Sequence, residues 1–231
     1  MIVSSLIVQR DYHASQPIAS YIERFSLLCE ELEKISIPVT LFQDRQISLQ
    51  WNFSNLEVIP ISIEDLCSWQ LLKKATKIMV SDNPKKNTLD YHAIMNAKIE
   101  LCNRVAYANP NLQRISWMDC GITHVMKNPR STIRKLSGLD KLSKGITIPG
   151  TGHVKSDDFV HPNWRFSGGF FSGDLESLDN MWRLSRTALS QVMPVATWEV
   201  NIWAYMESKL GWKPNWYYGN HNDSILDFPI V

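Results

Sequence analysis

Asp119 closes an apolar run, Ile115-Ser-Trp-Met118, and is followed by Cys120 and Gly121. The run predicts a buried strand, so the carboxylate emerges at its end, and Gly121 lets the backbone turn beside it. A carboxylate in that place suits a divalent metal that in turn holds a diphosphate. It equally suits a cap on the turn that follows. Lys98 lies in a helical stripe that reads Tyr91, Ile94, Met95, Lys98, Leu101, Cys102, Val105. An unpaired ammonium on that apolar face would be costly, so it needs an anion: Asp119, another acid or a ligand phosphate. The other reading is a lysine whose stem carries the charge out to the edge.

Glu199 follows Thr197, which reads as the cap of a helix running to Leu210. An acid there suits the helix dipole. Its neighbours Trp198, Val200, Ile202 and Trp203 would also desolvate it in part, as a catalytic carboxylate requires. His221 stands in a polar turn, Gly219 to Asp223, either as a metal or phosphate ligand or as an exposed loop residue. Ser167 to Gly173 carries three glycines, and Gly168 and Gly169 permit close approach of a ligand or another backbone. That stretch lacks the spacing of a dinucleotide fingerprint or a phosphate loop. No His pair has metalloprotease spacing, and no nucleophile elbow is present.

The elements that must position these groups alternate. Strands are expected at Ile2 to Val8, Ile37 to Phe42 (ended by Asp44), Leu56 to Ile61, Ile115 to Met118 and Phe166 to Phe171. Helices are expected from Pro17 to Leu32, Ile63 to Val80, Tyr91 to Tyr107, Leu178 to Val192 and after Thr197. Such alternation predicts an α/β fold, a mostly parallel central sheet with helices on both faces. Parallel sheets bind ligands at the carboxyl ends of their strands. That rule selects the loop Gln9 to Tyr12 with Arg10, then Asp44, Asp119 to Gly121, and the region of Gly168. From Ser137 to Asn163 the periodicity dissolves among glycines and prolines, which predicts a long loop acting as a lid. Neither a repeat nor a linker interrupts the 231 residues, so one domain is expected.

Composition narrows the partners. A hydrophobic fraction of 44% with 20% charged residues belongs to a globular chain, not a disordered one. A net charge of +1 offers no basic footprint for nucleic acid. The lysines at 73, 74 and 77 read as a solvated face. Four cysteines, at 29, 67, 102 and 120, lack metal spacing and read as reduced thiols. Met1 to Val8 is apolar, yet too short to span a bilayer and without a basic leader, so no transmembrane segment and a cytoplasmic location are expected. Nine tryptophans suit a core first, and walls for sugars or bases second.

Three blocks carry a family resemblance. They are Tyr91 to Asn109 with Met95-Asn-Ala-Lys98, then Ile115-Ser-Trp-Met-Asp-Cys-Gly-Ile-Thr-His124, then Phe166-Ser-Gly-Gly-Phe-Phe-Ser-Gly173 followed by a helix and Glu199. With these the chain resembles the HtrL/YibB/WlaTC-like glycosyltransferases, within the GT-A nucleotide-diphospho-sugar group. The resemblance implies a GT-A-like fold, a nucleotide-sugar donor such as a UDP-sugar, and a glycan or glycoprotein acceptor. It implies that Asp119 stands where related enzymes carry an Asp-x-Asp motif for manganese or magnesium. Here the third position is Gly121, so one carboxylate remains. It implies a place near the reacting sugar for Glu199. The residue readings above make Arg10, Asp44, Lys98, Gly121, Gly168, Gly169 and His221 the candidate donor-binding residues, with Asp119 and Glu199 catalytic. The single carboxylate also fits a degenerate transferase fold that binds a nucleotide or glycan without turnover.

Overall fold

Ile2, Val3 and Leu6, and Val39 to Phe42, are β-branched or apolar, which suits strands buried on both faces. The structure, a computed structural model, describes residues 1–8, 17–152 and 159–230. Arg10 and its loop lie outside the described residues, as do residues 153–158 of the expected lid. In chain order the elements are β1 (Ile2–Leu6), α1 (Ile18–Lys34), β2 (Val39–Asp44), β3 (Leu56–Ile61), α2 (Cys67–Leu72) and β4 (Lys77–Ile78). Then come α3 (Leu89–Asn96), α4 (Lys98–Ala108), β5 (Ile115–Met118), α5 (Pro129–Arg134), β6 (Thr147–Gly150) and β7 (Phe170–Gly173). The last are α6 (Leu175–Val192), β8 (Val195–Ala196), α7 (Glu199–Lys209) and β9 (Asn215–Tyr218).

The central sheet has the order β3-β2-β1-β5-β7-β6-β9. β3, β2, β1 and β5 are mutually parallel, and β6 is parallel to β9. β7 alone opposes them, antiparallel to β5 and β6. Alternating side chains send Val3, Ile115, Trp117 and Phe171 into one core, shared with α2, α3, α4, α6 and α7. Ile2, Leu6, Met118 and Phe170 face the other core, against α1 and α5. The sheet is therefore α/β, mostly parallel and covered on both faces.

The reversal of β7 matters for the site. Because Phe170 pairs with Met118, the residues before β7 lie beside the residues after β5. Asp119 donates its backbone N–H to Gly169 O across 3.0 Å. Gly168 and Gly169 thus reach the carboxyl edge of the sheet from the amino end of an antiparallel strand, and the strand expected at Phe166 begins only at Phe170.

Four other expectations change. Ile63 to Val80 is no single helix: a 3-10 turn, the short α2 and β4 replace it. Lys77 and Ile78 pair with Val195 and Ala196, a contact over a hundred residues away that overrides the local helical period. The helix through Lys98 is interrupted at Ala97, with Asn96 donating to His92 O and Thr197 O, each across 2.8 Å. Thr197 does not cap α7; its hydroxyl donates to Phe159 O and accepts from Asn201, and Trp198 precedes the helix instead. The irregular stretch from Ser137 contains β6, stabilised by β9 in the aromatic tail, for which no strand was expected.

Candidate active site

Lys98 opens α4 with its side chain 2% exposed. Its Nζ lies 2.9 Å from Asp119 Oδ1, 2.8 Å from Glu199 Oε1 and 2.9 Å from Gly168 O. An ammonium has three N–H donors, and these three acceptors use them all. Burial alone would lower the Lys98 pKa; Asp119 and Glu199 outweigh it and raise the value above that of an ordinary lysine. Glu199 is moved upward, first by burial and further by Asp119, with Lys98 opposing. The three groups form a buried minus-plus-minus cluster.

Asp119 is the open member, with 33% of its side chain exposed against 7% for Glu199. Trp117, two residues earlier on the same strand face, donates its indole N–H to Asp119 Oδ1 across 2.7 Å. The carboxylate thus binds Lys98 and Trp117. The turn after it forms through backbone bonds, with no side-chain cap. A methyl on Gly121 would lie 3.0 Å from the Tyr21 ring of α1, so the ring would have to give by a few tenths of an ångström.

A cavity of about 440 Å³ opens at this edge of the sheet. Asp119, Lys98, Gly121, Gly168, Glu199 and His221 all line it. Its walls include the end of β1 (Ser5 to Val8), Tyr21 and Arg24 of α1, and Lys86, Tyr91, Trp164 and Trp198. Trp164 is half-exposed at 44% and packs edge-on against Trp198 and His221, with centroids 5.2 and 5.8 Å apart.

Two of the expected residues sit elsewhere. Asp44 is fully buried and accepts from Val8 N at 3.0 Å and Gln46 N at 2.9 Å, tying the ends of β1 and β2 together. Gly169 is packed against Ile122 and Ile225 and contributes its carbonyl to Asp119. Sequence reading missed Lys86, Arg24 and Trp164. The high tryptophan content was the available signal for the last; Lys86 follows Asn83-Pro84, turn residues that carry no hint of a site.

Among the described residues no group of three or more His, Cys, Asp or Glu could hold a metal ion. Asp119 is the one carboxylate of the pair that is open to the cavity, and it is engaged by Lys98 and Trp117. Asp119 is thus the described carboxylate that could meet a divalent ion, whose other oxygens a diphosphate would supply. Nor is any helix among the described residues long and apolar enough to cross a membrane.

Fold and site together define a mostly parallel α/β protein with a charged, aromatic-walled cavity at the carboxyl edge of its sheet. No family model and no curated protein matches the chain. Among solved structures it is similar to mouse xyloside xylosyltransferase 1 in its apo form, at 10% identity and TM-score 0.46, over 94% of this chain and 83% of that one. It is also similar to a glycosyltransferase involved in the glycosylation of the major capsid of PBCV-1, at 12% identity and TM-score 0.45, over 95% of this chain and 80% of that one.

Proposed function

We propose that this chain is a GT-A-like glycosyltransferase moving a sugar from a nucleotide-diphospho-sugar to a glycan or glycoprotein acceptor. The observation that carries the reading is the Asp119–Lys98–Glu199 cluster on the wall of the cavity. Two carboxylates held rigid by one buried ammonium suit a reaction in which positive charge develops on a sugar. Small-molecule sites typically occupy about 300–1,000 Å³ with a few placed polar groups, and this cavity is of that kind. The rings of Tyr91, Trp164 and Trp198 suit the apolar faces of a sugar or base.

In this reading the bond between the anomeric carbon and the diphosphate oxygen breaks, and its electron pair leaves with the nucleoside diphosphate. The acceptor hydroxyl oxygen forms the new glycosidic bond and gives up its proton to the departing diphosphate oxygen. Glu199, fixed beside Gly168, stabilises the cationic sugar as a carboxylate. Asp119, more open, accepts hydrogen bonds from donor hydroxyls and sets the donor's position. Lys98 holds both carboxylates aligned.

The test is a panel of nucleotide-sugars scored for release of nucleoside diphosphate, with and without manganese. Release with at least one donor, faster with a saccharide acceptor, is expected. Binding of a nucleotide without any release across the panel would favour the non-catalytic binding module. Release that needs manganese would give the metal a part that the protein's own donor set does not provide.

A further inference from the structure

Lys98 cannot reach a phosphate without giving up a partner. All three of its N–H donors are spent on Asp119, Glu199 and Gly168. The cluster it sits in also carries two carboxylates against one ammonium, so by itself it would repel an anion. A leaving diphosphate accumulates negative charge and needs a cation nearby.

Lys86 lines the same cavity. Its ammonium lies 5.8 Å from the Tyr91 ring centroid and 5.6 Å from that of Trp198. Attraction to the ring faces can hold it there without a carboxylate. Among the described residues Lys86 has no side-chain hydrogen bond or ion pair. Its backbone is placed by a built loop. Asn83 accepts from Lys85 N at 3.1 Å, and Ser81 and Asn87 bond to each other through Ser81 N, 2.8 Å, and Asn87 Nδ2, 3.1 Å. Burial lowers the Lys86 pKa, with Glu199 and Asp119 opposing, so the ammonium is partly stripped of water and feels both carboxylates.

We infer that Lys86 is the cation that receives the ligand's diphosphate oxygens in this cavity, while Lys98 acts as a positioning residue for Asp119 and Glu199. The inference rests on the nucleotide-sugar reading for the identity of the diphosphate, and on Lys86 itself for the anion site. A lysine binds phosphate as a point charge, so the contact is charge-dependent and sensitive to salt.

The experiment is calorimetric titration of the whole chain with UDP, GDP, CDP and ADP, with the matching nucleosides, and with inorganic pyrophosphate. It compares the native protein with Lys86→Met and Lys86→Arg. Met keeps an apolar stem against Tyr91 and Trp198, so an unchanged melting temperature is expected. Lys86→Met should weaken the preferred nucleoside diphosphate and pyrophosphate by about tenfold or more, the scale of one lost charged contact. The nucleoside should bind as before, and Lys86→Arg should stay within a few-fold. An unchanged Kd for the diphosphate in Lys86→Met would overturn the inference, as would an equal loss for the nucleoside. Lys86-dependent binding of pyrophosphate with no nucleoside diphosphate bound would keep the anion site and remove the nucleotide reading. Binding of neither would remove both.

Discussion

Lys98 Nζ and Glu199 Oε1 meet across 2.8 Å, each as the first residue of its helix, α4 and α7. Their side chains are 2% and 7% exposed, so the pair is desolvated, and Asp119 completes it from the end of β5. The meeting of two helix starts and one strand end is what makes this edge of the sheet a site.

Removing Lys98 should therefore damage folding as well as binding. Lys98→Met leaves Asp119 and Glu199 facing each other unpaired, and breaking a buried pair typically costs about 3–5 kcal/mol. Urea unfolding should show a loss of that order, partly recovered in Lys98→Met combined with Glu199→Leu. A loss below about 1 kcal/mol, the range of exposed pairs, would show that the cluster is solvated in solution.

Asp119 and Glu199 should separate in kinetics. Asp119→Asn should weaken donor binding. Glu199→Gln should leave donor affinity near normal and cut turnover on the order of a hundredfold, because its charge acts mainly in the transition state. Calorimetry beside a transfer assay measures both. Full turnover in Glu199→Gln would take it out of the site, and native donor affinity in Asp119→Asn would take Asp119 out of donor binding.

Glu199 also predicts the acid limb of activity. Burial raises its pKa, so as pH falls it protonates before an ordinary glutamate would, near pH 4.3. Turnover that needs the carboxylate should fall at a pH above that value, and the limb should vanish from the residual rate of Glu199→Gln. Lys98 works in the opposite range. Its raised pKa means that its contribution to stability is complete below the unfolded lysine value of about 10.4 and is lost as pH rises through the higher folded one. A pH series of turnover and of urea midpoints checks both.

Gly168→Ala offers a test at a position with no charge. A methyl there would overlap Glu199 Oε1 and press on Val200. Glu199 should be pushed off Lys98, with turnover lost and donor affinity largely kept, since Asp119 is not touched. Turnover equal to that of the native chain would mean that Glu199 can shift without consequence.

Much of the site is legible in the amino-acid sequence by itself. The run Ile115 to Met118 is apolar enough to be a strand wherever it sits, so Asp119 at its end follows from local pattern. The stripe from Tyr91 to Val105 places Lys98 on an apolar face, and the cost of a lone buried ammonium requires an anion for it. The alternation of strands and helices requires a covered, mostly parallel sheet.

Tertiary structure decides the rest, because it depends on contacts between residues far apart in the chain. Asp44 accepts from Val8 N, a contact between the ends of two strands that no local pattern announces. Whether Lys98 meets Asp119, Glu199 or a phosphate turns on the reversal of β7, which brings Gly168 O to its third proton and leaves it no donor to spare. Lys86 shows no pattern at all in the sequence. Its place over Tyr91 and Trp198 comes from packing a loop against α3 and the residue that precedes α7, which no local periodicity encodes.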